Sequence, residues 1–173
     1  YLSGCSLLEK NFSNPPSLNI TSGYDFGPTK EGEFQSITTS ISATNEINQF
    51  FNMDEKYGKL ELSVEAMHKK ILSPTNGSWT GIIPFLKYSY PANDLSFFVE
   101  IGAGPSYLNI KTKEQGPPGF NFVDQIGAGI EYELSPAISL SSTYRFAHAS
   151  HAGLRDPPNS GINFHSFMLG IKI

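Results

Sequence analysis

No apolar run in these 173 residues approaches the roughly 20 that a membrane-spanning helix needs, yet apolar side chains recur at every second position through most of the chain. Alternation of this kind puts one set of side chains on one face of a strand and the rest on the other. A closed barrel is the only spanning structure that such strands can build, because an open edge in lipid would leave backbone donors and acceptors unmet. Apolar outside and polar inside also accounts for a mean hydropathy of -0.22 beside 39% hydrophobic residues. The net charge of -4 and pI near 5.5 provide no basic stripe, which argues against nucleic-acid binding.

Eight alternating stretches emerge, separated by turn-rich segments. The first covers residues 17–26, with Leu18, Ile20, Tyr24 and Phe26 on one face; the second, 34–44, aligns Ile37, Thr39, Ile41 and Ala43. In the third, Leu60, Leu62, Val64 and Ala66 oppose Lys59, Glu61, Glu65 and Lys69. The fourth, 79–90, contains Pro84, which cannot donate a ladder hydrogen bond and so predicts a bulge or local irregularity. The fifth, 95–108, sets Leu95, Phe97, Val99 and Ile101 against Ser96, Glu100, Gly102 and Gly104. In the sixth, 120–134, Phe122, Ile126, Ala128, Ile130 and Tyr132 share a face. In the seventh the even positions Ile138, Leu140, Tyr144, Phe146, His148 and Ser150 do so, and in the eighth Phe167, Leu169, Ile171 and Ile173.

The expected fold is therefore an all-β, eight-stranded antiparallel transmembrane barrel, one domain over residues 17–173, with its interior filled by side chains. Residues 1–16 show no pattern and read as a plug, a cap or a partly disordered segment. Ser135-Pro136 is a tight turn, whereas 109–119 and 151–161 are long and rich in Gly and Pro, which places the long connections at one end. His148 and Ser150 then fall near the long-loop rim, on the apolar face.

The single cysteine, Cys5, excludes an internal disulfide and every Cys-based zinc pattern. Leu2-Ser3-Gly4-Cys5 is similar to a bacterial lipoprotein processing site, or matches it by chance. Gly102-Ala103-Gly104 and Gly127-Ala128-Gly129 lie inside strand patterns with no helix to follow, so they relieve crowding on an inner wall and are not dinucleotide loops. Three Asn-x-Ser/Thr sequons, at Asn11, Asn19 and Asn76, carry no meaning in a bacterial outer-membrane protein. Four histidines without a shared spacing argue against a metal site, and His68, His151 and His165 read as headgroup or rim residues.

A serine hydroxyl becomes a useful nucleophile only when a neighbouring imidazole takes its proton, and a third group must hold that imidazole in the right tautomer. His148-Ala149-Ser150 supplies the first two residue types on one strand face. Asn163 shares the outward parity of Phe167, Leu169 and Ile171 in the eighth strand, and its amide oxygen can accept from an imidazole N–H without stabilising an imidazolium as a carboxylate would. Asp124 lies on the even, lipid-facing side of the sixth strand, and the short hairpin at Ser135-Pro136-Ala137 puts it opposite His148 or about two residues away. The alternative for Asp124 is contact with water or with Arg145.

The run Arg145-Phe146-Ala147-His148-Ala149-Ser150-His151-Ala152-Gly153-Leu154, followed by Pro158-Asn159-Ser160-Gly161-Ile162, resembles the PagL family of lipid A 3-O-deacylases. Phe97-Phe98-Val99-Glu100-Ile101-Gly102-Ala103-Gly104 and the segment from Phe120 through Gly129 are similar to the same family. The resemblance implies an outer-membrane esterase of Gram-negative bacteria, free of cofactors, that removes the 3-linked acyl chain of lipid A at the outer barrel wall. It implies His148 as general base, Ser150 as nucleophile and Asn159 as oxyanion donor. This chain departs from the pattern in two places: Asn163 stands where a carboxylate is expected, and His151 where an asparagine follows the serine.

The partners implied are lipid A or lipopolysaccharide and outer-membrane lipids, with Arg155 and Lys111 or Lys113 in the long loops meeting lipid A phosphates. A homodimer is left open. The loss of the acidic residue keeps a second reading in play, a catalytically degenerate structural or lipid-binding barrel. A diffusion pore conflicts with a filled interior.

Overall fold

The computed structural model describes residues 15–154 and 159–173, so the expectations for Cys5, most of the N-terminal segment and Arg155 lie outside the described residues. Eight antiparallel strands close into a barrel in chain order: β1 (Ser17–Thr29), β2 (Gly32–Glu46), β3 (Lys59–Ser73), β4 (Gly77–Ala92), β5 (Leu95–Leu108), β6 (Gly119–Ser135), β7 (Ile138–Ser150) and β8 (Ile162–Lys172). Closure comes from β1 pairing with β8, for example Ile20 opposite Ile171. All eight stretches legible in the alternation are strands, extended at several ends by polar and glycine residues that carry no apolar signal.

The outward set is the apolar one. Ile20, Ile41, Val64, Ile82, Val99, Ile101, Ile126, Phe167 and Leu169 are all at least half exposed except Ile41, at 49%, as a lipid-facing wall requires. Inside, the barrel has two halves of different character. Toward the termini the lining is charged: Lys87 and Lys172 bridge Glu61 and Glu131 at 2.7 to 3.5 Å, and Arg145 binds Glu65 at 3.0 Å and Glu100 at 2.6 Å. Above them Lys69 meets Asp25 at 3.0 Å, with both side chains almost fully buried.

Toward the opposite end the lumen holds an apolar plug of Phe34, Ile71, Trp79, Ile83, Phe85, Leu108, Val123, Ile162, Phe164 and neighbours. Simple alternation does not predict this second apolar set. In β4 it makes both faces greasy, since Trp79, Ile83 and Phe85 point in while Ile82, Leu86 and Tyr88 point out.

Pro84 has the local effect expected of it. On one side Pro84 pairs with Val64 of β3 in unbroken register, while on the other the ladder to β5 lapses between Gly81–Ser106 and Phe85–Gly102 without a register change. The expectation that the long connections gather at one end needs correction. The 109–118 and 151–161 loops do share an end, but so do the tight β1–β2 and β3–β4 turns, and the 47–58 connection with its two short 3₁₀ turns lies at the other end beside the termini. That connection is held by buried Asn48, which donates to the Gly58 carbonyl at 2.9 Å and accepts from the Leu60 amide at 2.6 Å. It carries neither a long Gly/Pro run nor an apolar period, so its packing is invisible to pattern reading.

At the long-loop end the connections are tied to one another. Lys113 N donates to Glu31 of the β1–β2 turn at 3.0 Å, the Lys30 amide donates to Glu114, and Ser160 N donates to the Glu114 carbonyl at 3.1 Å. This end therefore forms a stitched cap over the apolar plug.

Candidate functional site

Three strands present one polar residue each at the same height on the lipid-facing wall. Asp124 of β6 pairs directly with His148 of β7, and His148 pairs directly with Asn163 of β8. Directly opposed residues hold their Cβ atoms roughly 5 Å apart, close enough for side chains to touch. Behind this row the inward neighbours Val123, Ala147, Ala149, Ile162 and Phe164 are fully buried in the plug. Small alanines on β7 and the large Phe164 on β8 fill the wall from within, giving the outward row a rigid backing.

His148 Nδ1 lies 2.7 Å from Asn163 Oδ1. An amide oxygen accepts, so Nδ1 is the protonated nitrogen and Nε2 keeps its lone pair. Asp124 is exposed on the same face and makes no hydrogen bond to His148 among the described residues. Its alternative partner Arg145 is ruled out by the fold, because Arg145 points into the lumen and is consumed by Glu65 and Glu100.

Ser150 is the last residue of β7, two positions from His148 and roughly 6.6 Å along the strand. Its neighbours Ala149 and His151 are buried, so Ser150 takes the outward side. The Ala152 amide donates to Ser150 Oγ at 3.4 Å, where Ala152 turns the chain with φ of 51°. No hydrogen bond joins His148 to Ser150 among the described residues. Nucleophile and base are often looser than bonding distance without substrate.

Asn159 sits half-buried in the β7–β8 loop, and its side-chain amide donates to Gln115 Oε1. Gln115, fully buried, donates in turn to the Ala149 carbonyl at 2.6 Å, between His148 and Ser150. The β5–β6 loop thus links the expected oxyanion donor to the backbone of the His-x-Ser strand. Nothing in the sequence marks Gln115 for this part, since it stands inside a Gly/Pro-rich loop without periodicity.

A shallow apolar groove of about 390 Å³ runs down the outer wall from this row, lined by Ile101, Ala103, Ile126 and Phe146 and headed by Asp124 and His148. Its floor is low because Ala103 adds only a methyl group. Lys111 and Lys113 are exposed in the loop above.

The remaining histidines divide. His68 is exposed on the outer wall, and His165 packs there between Phe26 and Phe146 with Nδ1 2.7 Å from the Tyr144 hydroxyl. His151, expected at the rim, is instead 1% exposed. It follows Ser150 with inward parity, and strand alternation carried one residue past the end of β7 turns it under the cap. Among the described residues no cluster of three or more His, Cys, Asp or Glu side chains is arranged to hold a metal ion.

Residues 38–172 match the family described as lipid A 3-O-deacylase (PagL). Among solved structures, the barrel is similar to Neisserial surface protein A (NspA), at 13% identity over 91% of this chain and 96% of that one with a TM-score of 0.69. It is also similar to the outer membrane enzyme PagL, at 17% identity over 91% of this chain and 98% of that one with a TM-score of 0.57. At these identities both likenesses concern the fold. No curated protein matches the sequence.

Proposed function

This chain belongs to the lipid A 3-O-deacylase (PagL) family, and on that footing we propose that it is a serine esterase of the Gram-negative outer membrane that hydrolyses the 3-linked acyl ester of lipid A from the lipid-facing wall. The observation that carries the reading is the 2.7 Å contact between His148 Nδ1 and Asn163 Oδ1 on the outer face, with Ser150 two residues along the same strand. The serine, absent from the His165 pair on the same wall, is what gives this histidine a proton to move.

The chemistry follows from the tautomer. His148 Nε2, left unprotonated, takes the proton of Ser150 Oγ as that oxygen attacks the ester carbonyl. Collapse of the tetrahedral intermediate breaks the bond to the sugar oxygen, which leaves with the proton from His148 as a free hydroxyl. Water then attacks the acyl-serine through the same base, releasing the fatty acid and restoring Ser150. Asn159, held by Gln115, supplies an N–H to the oxyanion; such a donor is typically worth about 10² to 10³ in kcat.

Substrate reaches the row laterally, with acyl chains against the groove of Ile101, Ala103, Ile126 and Phe146. The sugar and its phosphates stay at the cap near Lys111 and Lys113. Asp124, opposite His148, adds a negative charge beside the imidazolium that forms.

A second reading has a specific observation behind it. With an amide in the orienting position, the chain fits a barrel that binds lipid without cleaving it. Incubating the purified protein with lipid A in detergent and weighing the product by mass spectrometry separates the two. Loss of one 3-linked hydroxyacyl group is expected; an unchanged mass, with an active deacylase as positive control, overturns the esterase reading in favour of the second.

A further inference from the structure

We infer that Gly161 is a positioning residue for His148, holding the imidazole in its working orientation by presenting bare backbone to the ring; the inference rests on the esterase reading. A Cβ placed on Gly161 would lie 2.4 Å from Cε1 and 2.8 Å from Nε2 of His148, and 2.8 Å from the Ala149 carbonyl oxygen. Real Cβ atoms do not approach so closely. The last loop residue before β8 therefore lies against the ring edge that carries the basic nitrogen, while the opposite nitrogen is fixed by Asn163 two residues later.

Those two contacts define the ring together. Asn163 determines which nitrogen holds the proton, and Gly161 is the surface against which the other edge rests. Gly161 has φ of +73°, a conformation that glycine adopts freely and L side chains rarely do. A methyl group there meets the Ala149 carbonyl oxygen, a backbone atom, and the imidazole. The imidazole is the softer of the two, since the ring stands on the half-exposed outer wall and can swing into lipid. Swinging breaks the Asn163 contact and turns Nε2 away from the rim, so the barrel survives and the base is lost.

Gly116 provides a control for backbone strain. It has φ of +75° in the β5–β6 loop, and a Cβ added there meets nothing within 4 Å. Gly161→Ala and Gly116→Ala therefore impose similar dihedral strain, and only the first touches the histidine.

The test joins imidazole ¹⁵N NMR of histidine-labelled protein in detergent, with His148 assigned through His148→Gln, to rate measurements on lipid A. The wild type should show Nδ1 protonated. In Gly161→Ala that signal should move toward the Nε2-protonated form, and kcat should fall about 100-fold with KM little changed, the scale of loss from misplacing a reacting group by 1 Å. Gly116→Ala should leave both unchanged. An unaltered His148 tautomer and rate in Gly161→Ala, or an equal loss in Gly116→Ala, would overturn the inference. A wild type without hydrolysis would overturn the esterase reading alone, because the tautomer shift is read without substrate.

Discussion

His148 and Asn163 face each other across β7 and β8 with Nδ1 2.7 Å from Oδ1, so the group that orients the imidazole is an amide and carries no charge. In the proposed mechanism the amide fixes the tautomer but offers little to the imidazolium formed as Ser150 is deprotonated.

Replacing that amide by its acid should speed the reaction. Asn163→Asp keeps the geometry and adds the charge; kcat should rise by at least about ten-fold, against the ceiling of about 10⁴ that the reverse change costs in the serine-protease case. Asp124→Asn should cost less than ten-fold, because Asp124 makes no hydrogen bond to His148 among the described residues. If Asp124→Asn is the damaging change and Asn163→Asp is silent, the carboxylate of β6 is the partner in the working complex.

The groove should be sensitive to its floor. Ala103→Phe fills the space between Ile101, Ile126 and Phe146. KM for a long-chain ester should rise on the order of ten-fold while a short-chain ester is cleaved as before, in line with what a few apolar contacts contribute to discrimination. Equal effects on both chain lengths would place the acyl chain elsewhere.

Stability should depend on the luminal ion pairs and be separable from activity. Lys69→Met leaves Asp25 buried opposite no cation and should destabilise the barrel by about 3 to 5 kcal/mol in urea unfolding. Adding Asp25→Asn should restore most of that loss. Additive losses in the double variant would show that the two side chains act independently.

Much of this was legible in the chain. Period-two alternation located every strand and, outside the fourth, its outward face, and parity alone put Asp124, His148, Ser150 and Asn163 on one side of the wall. The hairpin at Ser135-Pro136-Ala137 predicted Asp124 opposite His148 or about two residues off, and the ladder pairs them directly. What alternation missed has a common cause: a period reports which face a residue occupies, not what covers that face. Trp79, Ile83 and Phe164 were hidden as an inner plug for that reason, and His151 was expected at the rim although its parity carries it inward beneath the cap. Gln115 and Gly161 meet the His-x-Ser strand through loop-to-strand contacts, and no local pattern announces these.

If Ser150 on the lipid-facing wall is the nucleophile, its replacement by alanine abolishes hydrolysis and leaves the barrel folded. Wild type and Ser150→Ala are folded, checked for the heat-dependent gel shift of an intact barrel, and incubated with lipid A while released fatty acid is quantified. The wild type should release one 3-linked chain per lipid A, and Ser150→Ala should run as a folded barrel and release none above the no-enzyme background. Release at the wild-type rate by folded Ser150→Ala would mean that Ser150 is not the nucleophile.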